Sequence, residues 1–219
     1  MRNLLKLILL VTAIAIGLTS CEETNNNGPV VYYADFVSCR VQPNEPLSFE
    51  HILRNDQGSV MLYPNPSIEA SVYNGQRILL QYYVNRTNDD NSLEITPLQL
   101  VPARHDTIIA ATADTLAAYP NHPLRINTIW RTGSYINFDM ALEYYNLPHR
   151  LDLFSNPEQA PGDTLDIILR HDRNGDAVGY WTAAYASFYI PNLALYKAVR
   201  VYANISNNMQ ENIVVNIQD

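Results

Sequence analysis

Five histidines, His51, His105, His122, His149 and His171, are the first residues to weigh for chemistry. None sits in an HExxH or comparable metal spacing, and no cysteine is available to join them. Scattered surface histidines are therefore the expectation, with no metal and no cofactor. The chain contains neither a Gly-x-Ser-x-Gly elbow nor a phosphate-cradling glycine loop. Carboxylates are plentiful, but an acid–base pair is defined by its separation in space, so composition assigns no hydrolase. The run Asp172-Arg173-Asn174-Gly175-Asp176 places oxygen ligands at alternate positions, as a calcium loop does. An EF-hand needs glycine at its sixth position and a bidentate glutamate at its twelfth, where this chain has Ala177 and Ala183. Asn174-Gly175 reads better as a turn between strands, a place that demands positive φ. These residue types predict no catalytic residues and no enzyme.

Two other patterns bear on binding and modification. Tyr82-Tyr83, Tyr144-Tyr145 and Tyr180-Trp181 each put one ring on either face of a strand. One member of each pair should pack in a core, leaving Tyr83, Tyr145 and Trp181 as candidates to face a ligand. Exposed rings can stack on sugars or anchor a protein partner, although tyrosine also simply fills half-buried sheet positions. Asp106-Thr107-Ile108, Asp114-Thr115-Leu116 and Asp163-Thr164-Leu165 share an Asp-Thr-aliphatic tripeptide. It resembles an O-glycosylation acceptor of envelope proteins in some gut anaerobes, which makes Thr107, Thr115 and Thr164 candidate acceptors.

The start of the chain carries an address. Arg2 and Lys6 precede an uncharged, mostly apolar stretch over residues 7–18. That stretch is too short to cross a hydrocarbon layer needing about 20 apolar residues, and it reads as the core of a signal peptide. It ends in Leu18-Thr19-Ser20-Cys21, which resembles the bacterial lipobox. The resemblance implies cleavage before Cys21 and acylation of its thiol, so a membrane is the expected first partner through this anchor. Several acyl chains on one residue would hold the protein where a single chain binds only marginally. Residues 21–29 are polar and aperiodic, and read as a flexible tether. Glu22 and Glu23 resemble a surface-export cue, which points to the cell surface of an outer membrane.

Arg2 and Lys6 are the only charges in residues 1–20, so the net charge of −8 becomes −10 for the remainder. A body so acidic, without a Lys/Arg cluster, is a poor nucleic-acid binder, because that affinity comes mostly from neutralising phosphates. Apolar residues make up 47% of the chain, enough to fill a core. With Cys21 acylated, Cys39 is the one remaining cysteine, and its alternating surroundings predict a buried thiol.

The elements that must position these residues are strands. Tyrosine dominates the aromatics, turn residues recur at short intervals, and helical periodicity is scarce, so the chain reads as all-β. Residues 31–41, 59–63, 77–84 and 93–101 suggest the main strands of a small barrel over 30–105. The alanine-rich stretch 106–122 reads as a short helical or irregular connector. Beyond it Ile136, Phe138, Met140, Leu142 and Tyr144 alternate with Asn137, Asp139 and Glu143, the period of a half-buried strand. Similar alternation at 165–169, 199–205 and 213–217 predicts an antiparallel β-sandwich over 123–219.

Arg125-Ile126-Asn127-Thr128-Ile129-Trp130, Gly133 and Tyr135-Ile136-Asn137 resemble the start of the second domain in the NigD-like lipoproteins. Leu169-Arg170-His171-Asp172-Arg173-Asn174-Gly175-Asp176 and Ser187-Phe188 are similar to that family's next strands and hairpin. The resemblance implies an OB-like N-terminal barrel followed by a C-terminal β-sandwich. It supplies little mechanism. The expectation is a non-catalytic binding module for a glycan or protein partner on the cell surface, with bacteriocin-immunity-type protection or a structural part of a surface assembly as alternatives.

Overall fold

The computed structural model describes residues 31–53, 58–69, 75–159, 162–206 and 212–217. The signal segment, Cys21, the tether and Asn74 lie outside the described residues. Residues from Tyr32 onward form one unit, built from a barrel and a sandwich. No described helix is long and apolar enough to cross a membrane.

β1 (Tyr33–Arg40), β2 (Ser48–Ile52), β3 (Ser59–Pro64), β4 (Arg77–Thr87) and β5 (Leu93–Pro102) close into a barrel in the order β1-β2-β3-β5-β4. Only the β3–β5 pairing is parallel. The five-stranded closure is that of an OB-like barrel. The apolar run Ile78-Leu79-Leu80 of β4 follows from burial on both faces. Ile78, Leu80 and Tyr82 fill the barrel with Val37, Cys39, Phe49 and Leu62, while Arg77 and Leu79 point out of it and are also buried. Burial pushes the Cys39 thiol up to about 11, with Arg77 partly opposing, so it is a core hydrophobe and a poor nucleophile.

The sandwich takes β6 (Arg104–Thr107), β7 (Ile109–Ala110), β8 (Arg125–Thr132), β9 (Tyr135–Tyr144), β10 (Arg150–Ser155), β11 (Thr164–Asp172), β12 (Tyr180–Tyr189), β13 (Ala198–Tyr202) and β14 (Asn212–Asn216). One sheet runs β6-β12-β9-β8 and the other β14-β13-β11-β10-β7. Alternate residues of both, among them Phe138, Met140, Leu153, Ile167, Leu169 and Phe188, make the core between them. Most pairings are antiparallel, but β11–β13, β12–β6 and β10–β7 are parallel. In the first of these, β12 crosses to the other sheet between the two partners.

The stretch read as a connector is only partly one. A helix does form at Ala113–Ala118, capped by Thr112, and it buries Leu116 against Phe154. Residues 106–110, however, add strands to both sheets: β6 pairs with β12 and β7 with β10. With four and two residues these strands are too short to show a period, and they form because neighbouring sheet edges offer unpaired backbone groups. Asn174 and Gly175 both take positive φ, as expected of a tight turn. They join β11 and β12, which lie in opposite sheets and do not pair with each other.

Candidate binding cleft and buried histidine chain

The outward face of β1 and β4 rests on the outward face of β8, β9 and β12. At the centre of this seam is Arg77, 1% exposed. Its Nε–H donates to Ser187 Oγ at 3.1 Å, Nη1 donates to Ser38 Oγ at 3.1 Å, and Nη2 donates to Thr132 Oγ1 and Asn137 Oδ1, each at 3.3 Å. The guanidinium also lies 4.3 Å from the centroid of the Tyr135 ring. Burial lowers its pKa to about 10, with Tyr135 and Glu50 opposing, so it stays a cation at neutral pH. Its hydrogen bonds go to neutral oxygens rather than to a carboxylate. Asn137 is held in turn by Ser187 and by its own donation to Thr132 Oγ1.

Beside this polar centre the seam becomes aromatic. Phe36 is buried, 5.2 Å from Trp130 and 6.2 Å from Tyr185 between ring centroids, both edge to face. Trp130 and Tyr185 are half-buried and wall a cleft of about 330 Å³, with Leu79 at its base and Gln81, Thr128 and Asp139 among its polar groups. Asp139 accepts from the Asn127 amide at 2.9 Å, which fixes its carboxylate. A cleft of this size, with an apolar floor and a few placed polar groups, has the make-up of a small-ligand site.

The three aromatics singled out from the sequence do not converge on this cleft. Tyr83 is half-buried on the barrel, edge to face with Tyr32, while Tyr82 fills the barrel and donates its hydroxyl to Asp35 at 3.0 Å. Tyr145 is 61% exposed, just past the end of β9, and its pair-mate Tyr144 is also at the surface rather than in the core. Trp181 has Arg125 3.9 Å over its ring, and Tyr180 beside it is 82% exposed. Thr107 and Thr115 are exposed, the first at the end of β6 and the second in the helix; Thr164 is half-buried at the start of β11.

The histidines correct the expectation of scattered surface residues, because His122, His149 and His171 meet at one end of the sandwich. His171 Nδ1 lies 3.1 Å from the Pro123 carbonyl, His171 Nε2 lies 2.9 Å from His149 Nδ1, and His149 Nε2 lies 3.1 Å from Asp176 Oδ2. His122 stands edge-on to His171 and accepts from the Arg173 backbone N–H. Burial lowers the His171 pKa to about 4; the Pro123 carbonyl opposes this, and His149, His122 and Arg173 add to it. Burial alone would raise Asp176, but N–H groups of Tyr145, Asn146 and Leu147, with His149, hold it at about 2. A carbonyl only accepts, so His171 carries its hydrogen on Nδ1. His149 lies between His171 and the Asp176 carboxylate and links the two. Asp176, weighed from the sequence as a cation ligand, is thus the buried anion that fastens the β9–β10 loop. Among the described residues no group of histidines, cysteines and carboxylates is arranged to hold a metal.

An OB-like barrel docked on a β-sandwich, with a cleft at their seam, defines the architectural class. The chain belongs to the NigD-like family: the model of the NigD-like C-terminal beta sandwich domain matches residues 107–217. That match begins at Thr107, within β6, in keeping with the sandwich strands found there. Among solved structures, a protein of unknown function from Bacteroides vulgatus is similar, with TM-score 0.69 and 17% identity over 85% of this chain and 90% of that one. A candidate lipoprotein from Bacteroides fragilis has TM-score 0.64 and 11% identity over 86% and 99%. A NigD-like immunity protein from Bacteroides caccae has TM-score 0.58 and 14% identity over 83% and 90%. At such identities the likeness is one of fold. No curated protein matches the chain.

Proposed function

We propose that this protein is a lipoprotein of the cell surface, anchored through acyl chains on Cys21, whose body is a non-catalytic module that binds a glycan. The observation that carries the glycan reading is the cleft walled by Trp130 and Tyr185. Aromatic faces suit the C–H surface of a sugar ring, and Gln81, Thr128 and Asp139 offer the donors and acceptors its hydroxyls require. The net charge of −8 argues against nucleic acid as the ligand. The lipobox-like Leu18-Thr19-Ser20-Cys21 supports the anchor, and the description of the Bacteroides fragilis neighbour agrees with it.

Both halves are testable. Replacing Cys21 with alanine should move the protein from the detergent phase to the aqueous phase and abolish palmitate labelling; a variant that still partitions with membranes contradicts the anchor. For the cleft, the purified protein should retain at least one member of a broad panel of glycans and envelope proteins. Trp130→Ala should weaken a retained glycan by roughly tenfold or more, the loss expected for one aromatic stacking surface. A milder Asp139→Asn change should weaken it without disturbing the aromatic packing. Retention of envelope proteins alone, or a glycan affinity indifferent to both changes, removes the reading.

A further inference from the structure

The outward face of the sheet β14-β13-β11-β10-β7 pairs its arginines with carboxylates, with one exception. Arg150 Nε lies 2.6 Å from Asp152 Oδ2, Arg104 reaches the other oxygen of Asp152 at 3.6 Å, and Arg200 Nη1 donates to Asp166 at 3.2 Å. Arg170 stands directly across from Asp152 in the β10–β11 register. Asp152 is already engaged by Arg150, Arg104 and the hydroxyl of Tyr119. Among the described residues the Arg170 side chain has no ion pair, and its buried Nε–H meets no acceptor. A buried donor without an acceptor is costly, and an unneutralised guanidinium more so.

Arg170 lines a groove of about 460 Å³ with Asn121, Ile168, Tyr202, Ala203 and Asn204. Ile168 and Ala203 make part of the groove apolar. The Tyr202 oxygen accepts from Arg200 at 3.4 Å, which leaves its own hydrogen free to donate. Asn204 donates its amide to the Asn121 carbonyl at 2.8 Å, which leaves its side-chain oxygen as an acceptor. An apolar surface, a forked cation, a hydroxyl donor and an amide acceptor together match a sugar ring that bears a carboxylate.

We infer that this groove is a second binding site, distinct from the seam cleft, and that it takes an acidic monosaccharide unit whose carboxylate pairs with Arg170. The anion supplies the acceptor that Arg170 Nε lacks, and the ring covers Ile168 and Ala203. The site is independent of the glycan reading of the seam cleft, since it shares no residue with it.

The test is titration of the detergent-purified full chain with glucuronic acid, glucose and inorganic phosphate, followed by calorimetry or NMR shifts. Glucuronic acid should bind at least about tenfold more tightly than glucose, the margin of one charge-assisted pair. Arg170→Gln should erase that margin without lowering the melting temperature, because the side chain has no partner to lose. Tyr202→Phe, which removes one hydroxyl and nothing of the core, should weaken the acid severalfold. Trp130→Ala should leave binding of glucuronic acid unchanged, which separates failure here from failure of the seam cleft. Phosphate binding as tightly as glucuronic acid overturns the sugar-acid assignment. Equal binding of glucuronic acid and glucose, or a margin that survives Arg170→Gln, overturns the site.

Discussion

Arg77→Ala is expected to destabilise the protein by about 3–5 kcal/mol. Two costs combine. The change empties a volume at the centre of the barrel–sandwich seam, and it removes the donors that satisfy Ser38, Ser187, Thr132 and Asn137. Arg77→Met separates them, because it keeps most of the volume and loses only the donors. Its cost should be roughly 1–3 kcal/mol, since Ser187, Asn137 and Thr132 already bond to one another and re-pair in part. Calorimetry should show one transition for the parent and, for Arg77→Ala, earlier melting with the barrel and sandwich separating into two steps. Equal stability of Arg77→Ala and the parent would mean that the seam is not held at this point.

Acidification is expected to produce the second large effect, through His171. Unfolded, the His171 imidazole takes up a proton below about 6.5. In the folded chain it resists protonation until about 4. Between these values the unfolded state binds more protons, so stability falls as pH falls. Allowing for partial screening, the loss is roughly 2 kcal/mol across that window. Below the ordinary aspartate value of 3.8 a further loss follows as Asp176, held at about 2, takes up its proton and releases the Tyr145 and Asn146 N–H groups. His171→Phe should flatten the limb between pH 6.5 and 4 and cost about 1–3 kcal/mol at neutral pH, because the Pro123 carbonyl is desolvated without a donor. Thermal melts of both proteins across the pH range read this directly. Nitrogen-15 spectra at neutral pH should show His171 as a neutral ring protonated on Nδ1. Parallel melting profiles for the two proteins would contradict the chain.

What the sequence could convey was local. The alternation from Ile136 to Tyr144 is visible as a strand because side-chain period is a local property, and β9 spans Tyr135–Tyr144. The same alternation places Asn137 on the polar side but cannot say that a barrel covers that side, which is why a fully buried asparagine reads as a surface one. β4 carries a hint, since the apolar run Ile78-Leu79-Leu80 means two covered faces, and Leu79 occupies the second beside Phe36 of β1. Histidine spacing fails for a related reason. His149 and His171 are 22 positions apart and meet through the β10–β11 pairing, while Asp176, 27 positions from His149, is brought in by the turn from β11 to the opposite sheet. Trp181 drew notice as half of an adjacent aromatic pair, whereas Trp130, isolated among Ile129 and Arg131, gave no such signal and stands in the cleft. The short strands β6 and β7 exist through pairing alone, so no period reveals them. Arg170 differs from Arg150 and Arg200 in that the carboxylate across from it, Asp152, is held by other partners, a difference of tertiary structure.

A glycan held in the proposed seam cleft would meet the protein at Trp130. The chain has two tryptophans, so labelling with 5-fluorotryptophan gives two fluorine resonances, assigned with a Trp181→Phe variant. Addition of the glycan retained from the panel should shift the Trp130 resonance and leave that of Trp181 in place. A shift confined to Trp181 would contradict the seam cleft and return the ligand to the outward aromatics of β9 and β12.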